Sequence, residues 1–156
     1  MKYAFVLALA IVACKHPAED QAAGSAHHED RQEAPIAPPK LVVDVSIDGA
    51  PSTWHSDAFD KVAHHDGTNN GGDTREVWSL RDLVHTLVGP NARVVSVTGR
   101  AGTSAITPQA WGDATQVPIL HTTRRGTLKF RWTPAQGGTW GKTEVTDVAK
   151  LEIVAH

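Results

Sequence analysis

Apolar and polar residues divide the chain into three stretches with different periods. Tyr3 to Ala13 is an unbroken apolar run behind Lys2. From Lys15 to Lys40 polar residues dominate, with four prolines, no aromatic residue and one large aliphatic, Ile36. Beyond Leu41 the pattern becomes periodic. "LVVDVSI" (Leu41–Ile47) predicts a strand, and Asp48-Gly49 a turn after it. "STWHSDAFDKV" is read as holding a short helix that carries Trp54 and Phe59. "HHDGTNNGGD" (His64–Asp73) reads as a long, flexible loop.

"SLRDLVHTLVGP" is the clearest element. Leu80, Leu83, Val84 and Leu87 fall at i, i+3, i+4 and i+7, which is one face of a helix. Ser79 is placed to cap it, with Asp82 three positions on, and Gly89-Pro90 stops it. At 100° per residue His85 lies off the apolar stripe, on the solvent side. The rest is β-rich. "RVVSVTG" and "TSAIT" read as a hairpin around "RAG", and "VPIL" is short and apolar. In "TLKFRW" Leu128, Phe130 and Trp132 face one way, and Thr127, Lys129 and Arg131 the other. "PAQGGTWG" reads as a loop and "KLEIVA" as a closing strand with Leu151 and Ile153 inward. One helix among about six strands predicts a single β-rich α+β domain over residues 41–156.

The first two stretches carry targeting information. A charged start followed by a short apolar run is the form of a signal peptide, expected here over residues 1–13. The run is too short to span a bilayer core, which needs ~20 apolar residues. Ile11-Val12-Ala13-Cys14 resembles the lipobox of bacterial lipoproteins. That resemblance implies cleavage before Cys14 and lipid on its thiol. Two or more acyl chains hold a protein stably on a membrane. Cys14 is the only cysteine, so an exported chain would have no disulfide. Residues 14–40 then read as a lipidated N-terminus and disordered tether, with a reach of roughly 25–30 Å. In the lipoprotein family, inner-membrane retention usually uses aspartate after the cysteine. Lys15 therefore leans the expected location toward the outer membrane of a bacterial envelope.

Charge and motifs exclude several chemistries. The formal net charge of −2 lacks the basic footprint of a nucleic-acid protein. There is no G-x-S-x-G, and spacing pairs no serine with a histidine. No G-x-x-x-x-G-K-[ST] is present; "GGTWGKT" has the wrong spacing. Nine histidines make metals worth weighing. His27-His28-Glu29-Asp30 lies in the tether, as a loose ion site or a solvated polar tail. His64, His65 and Asp66 are the candidate ligands of the domain, although neighbouring side chains diverge in an extended segment. "DGTNNG" partly mimics a calcium loop through Asp66, Thr68, Asn70 and Gly71, but Val77 stands where the bidentate glutamate belongs. The five tryptophans include Trp111 and Trp140 beside glycines. They either plug the β core or, with Arg100, Arg124, Arg125 and Lys142 nearby, line a binding surface.

"VSIDGAP", "VWSLRDLVHTLVG", "VVSVTGRAGTSAIT" and "GKTEVTDVAKLEIV" follow one another along the domain. Their order resembles the molybdopterin-binding domain of the sulfite oxidase-like oxidoreductases. The resemblance implies that Lys142 and Thr143, with Arg100 nearby, stand where the family holds its cofactor phosphate. It also implies a molybdenum-ligating cysteine, and the domain has none. The expectation is therefore a degenerate, non-catalytic relative with no cofactor. It would be a lipid-anchored envelope module that binds a small ligand or an envelope protein. A pterin-binding redox enzyme or accessory, and an envelope metal-binding protein, are the alternatives.

Overall fold

A computed structural model describes residues 40–68 and 71–156. The expected signal peptide, Cys14 and most of the tether, together with Asn70 of the calcium-like stretch, lie outside the described residues. Among the described residues no helix is long and apolar enough to cross a membrane.

Among the described residues ten strands form two sheets of five. The first has the order β2(Ala50–His55), β1(Val42–Ile47), β10(Val148–Val154), β5(Arg93–Gly99), β6(Gly102–Ala105). All its neighbours are antiparallel except β1 and β10, which run parallel with Val45 opposite Leu151. The second sheet has the order β3(His65–Thr68), β4(Thr74–Ser79), β7(Gln116–Thr122), β8(Leu128–Pro134), β9(Thr143–Thr146), antiparallel throughout. Three short helices, α1(Ser56–Phe59), α2(Leu80–Leu87) and α3(Pro108–Gly112), complete a β-rich domain.

The core follows from strand periodicity. Val43 and Val45 point inward from β1, Leu151 and Ile153 from β10, and Leu128 and Phe130 from β8. They join Trp54, Phe59 and Trp78 in one apolar cluster that draws on both sheets. Helix α2 forms as its pattern requires. Leu80, Leu83 and Val84 are fully buried in that cluster, and His85 is exposed. The Ser79 hydroxyl accepts from the Asp82 N–H at 3.2 Å, which satisfies one orphan donor of the first turn. Arg81 reaches across to donate to the Trp111 and Asp113 carbonyls, tying α2 to the end of α3.

Several local features depart from the pattern. Trp54 belongs to β2, and α1 carries only Phe59, whose ring meets Trp54 and Trp78 edge-on. The expected loop at 64–73 contains β3, since His65 to Thr68 find partners on β4 that composition does not reveal. Asp48 and Gly49 both take positive φ, 49° and 84°, as a two-residue hairpin turn demands. Gly99 ends β5 where a Cβ would lie 2.3 Å from the Thr146 carbonyl oxygen, so the two sheets approach through a bare backbone. Trp111, beside Gly112, is buried on α3 and joins the core.

Candidate functional site

The alternation that buries Leu128 and Phe130 turns Lys129 and Arg131 to the opposite face of the second sheet. Register determines their neighbours. Lys129 stands opposite His121 on β7, and His121 stands opposite Val77 on β4. Arg131 stands between Ile119 and Thr143. Arg75 shares this outer face two residues before Val77. The β7–β8 turn adds Arg124 and Arg125. Its shape is fixed by the Thr123 hydroxyl, which accepts from the backbone N–H of Thr127 and of Arg125.

These side chains line a cleft of about 510 Å³ with five cations and two carboxylates, Asp73 and Asp147. Asp73 is held between Arg75, at 3.2 Å, and Arg124. Asp147 accepts from the Thr127 hydroxyl at 2.8 Å. Lys129 and Arg125 form no ion pair among the described residues. The cleft is thus positive within a chain that is negative overall.

Trp140 packs against two residues of the cleft. Its loop folds back so that the indole lies 4.7 Å from the His121 ring and 5.1 Å from the Arg131 guanidinium carbon. Two glycines permit this. A Cβ on Gly67 would stand 2.6 Å from the indole, and one on Gly141 would stand 2.4 Å from the Trp132 carbonyl oxygen. Arg131 fastens the loop by donating to the Gly141 carbonyl at 3.0 Å and the Thr143 hydroxyl at 2.6 Å. On the other side of the indole, Val77, Val117 and Ile119 line an apolar recess of about 240 Å³.

His121 is the unusual member of the site. It is 4% exposed, and burial pushes its pKa down to about 4, with Arg131, Lys129 and Arg75 acting in the same direction. The imidazole is therefore neutral at pH 7. Its Nδ1 lies 3.0 Å from the Thr122 carbonyl oxygen, which can only accept, so the proton sits on Nδ1. That leaves Nε2 as a bare acceptor, and it is buried without a partner, as is Nε of Arg131.

The residues nominated by sequence lie elsewhere or at the margin. Lys142 opens on a separate depression with Glu144 and Trp132. Thr143 touches the cleft only through Arg131. Arg100 follows β5, its N–H donating to the Thr146 carbonyl. None of the three lines the main cleft. The His64 ring packs 5.4 Å from Trp78, while His65 and Asp66 point to opposite faces of β3. Among the described residues no group of three or more histidine, cysteine or acidic side chains is arranged to hold a metal. Arg124 and Arg125 do line the cleft, beside residues that sequence reading treated only as the polar half of a strand. The signal was the density of cations in "HTTRRGTLKFR" (His121–Arg131). No known family model, curated protein or solved structure matches the chain.

Proposed function

We propose that the chain is an envelope lipoprotein, anchored through lipid on Cys14, whose domain is a non-catalytic module binding a small anionic ligand in the cation-lined cleft. The observation that carries the binding role is the gathering of Arg75, Arg124, Arg125, Lys129 and Arg131 against only two carboxylates. Charges of one sign clustered in a cleft focus field and raise the local concentration of a ligand of opposite sign. The anchor rests on Ile11-Val12-Ala13-Cys14 behind a short apolar run. The leaning to the outer membrane rests on Lys15. Kinship with the molybdopterin-binding domains rests on the order of four motifs, and the absence of a cysteine beyond residue 14 supports a role without molybdenum chemistry.

Two experiments test this reading. The Cys14→Ser chain should leave the membrane fraction and lose palmitate labelling; persistence of both would refute the anchor. Titration of the protein with inorganic pyrophosphate, read by tryptophan fluorescence, should give binding that weakens with salt and is lost in Lys129→Glu. Failure of pyrophosphate, citrate and phosphate alike to bind at millimolar concentration would remove the cleft from consideration.

A further inference from the structure

We infer that the cleft selects an oxyanion that still carries a proton, a phosphate monoester or free phosphate, over a fully ionised anion such as sulfate. This rests on the cleft being the binding site proposed above and names what that site recognises. Cations alone do not distinguish phosphate from sulfate, since both offer tetrahedral oxygens to Lys129 and Arg131. His121 does. Its Nδ1 proton is committed to the Thr122 carbonyl, so Nε2 presents a lone pair with no partner. An anion oxygen without hydrogen would set lone pair against lone pair there. A P–O–H group would donate to Nε2 while its charged oxygens meet the cations. A buried acceptor left unmet is costly, and a ligand that satisfies it is favoured over its isostere that does not.

Trp140 completes the arrangement. The indole packs against the His121 ring, whose Nε2 is buried, so a ligand reaching that nitrogen must displace the side chains over it, and the indole on its glycine-rich loop is the one we infer to lift. Gly137 and Gly138, with φ of 79° and 117°, lie three and two residues before Trp140 and let the segment turn. Arg131, whose guanidinium carbon lies 5.1 Å from the same ring, loses that contact at the same moment. Lifting the indole therefore exposes the acceptor and a cation together, and it makes tryptophan fluorescence a direct report of binding.

The test uses the full chain carrying Cys14→Ser, near pH 6, where about half of a phosphate monoester retains its proton. Isothermal titration with inorganic phosphate and with sulfate should favour phosphate by roughly tenfold or more. His121→Phe keeps an aromatic ring but removes the acceptor, and it should bind the two anions equally. His121→Gln keeps an acceptor oxygen and should retain part of the preference. If either variant fails to fold, the wild-type ratio alone decides. Equal binding of phosphate and sulfate by the wild-type domain overturns the inference while leaving the cleft an anion site. Binding of neither, with no capture by phosphatidic acid vesicles, overturns both. Vesicles separate the sources of the group. Capture by phosphatidic acid, a monoester, without affinity for free phosphate would assign the group to a lipid. Equal capture by phosphatidylglycerol, a diester with no P–O–H, would overturn the selection of a protonated group.

Discussion

His121 should make the domain lose stability as pH falls from about 6.5 toward 4. The folded state holds the imidazole neutral down to about pH 4, whereas an unfolded chain protonates it near 6.5. Between those values the unfolded chain takes up a proton that the folded chain refuses. Stability is therefore fully present above about pH 6.5, falls as pH drops toward 4, and levels off below. For complete desolvation the linkage amounts to about 1.8 kcal/mol between pH 7 and pH 5. Water in the neighbouring cleft screens the ring, so about 1 kcal/mol is the expected loss. Urea unfolding followed by tryptophan fluorescence at pH 7, 6 and 5 measures it, in wild type beside His121→Phe. The variant removes the titration and retains an aromatic ring against Trp140. Its stability relative to wild type should improve by about 1 kcal/mol from pH 7 to pH 5. A difference that stays constant across that range would show that His121 titrates normally and that the site is wetter than its burial indicates.

Leu83→Ala on α2 removes a side chain that is 0% exposed in the common core, and should cost about 2–5 kcal/mol in urea unfolding. A loss below about 1 kcal/mol would mean that α2 is not seated on both sheets. Gly67→Ala places a methyl group where the Trp140 indole rests, 2.6 Å from its nearest carbon. It should displace that ring, shift emission to the red and destabilise by about 1–3 kcal/mol, and an unchanged spectrum would contradict the packing.

Much of the architecture was legible because independent signals agreed. For α2, an apolar stripe, a capping serine and a Gly-Pro stop all marked the same residues. For β8, strict alternation fixed both faces. Segments whose form depends on a distant partner were not legible. His65 to Thr68 becomes a strand only through β4, and Trp54 extends β2 only because β1 lies beside it. The cleft escaped for a related reason. Lys129, Arg131 and His121 look like ordinary outward positions until register sets them side by side and a loop from beyond β8 lays Trp140 across them. His121 gave no sign in sequence of being neutral and unpartnered, since burial in the folded domain, where the Trp140 ring packs against it, is the cause of the first.

The place of β10 bears on how the chain is made. Synthesis reaches this strand after the other nine, yet it occupies the centre of the first sheet, between β1 and β5. Until residues 148–154 have left the ribosome, β1 and β5 face each other across an empty lane, and half of the core has no sheet to close it. The first sheet is therefore complete only once β10 has been made. The second sheet carries no such dependence, since β3, β4, β7, β8 and β9 all precede β10, so the two halves of one core become available at different times.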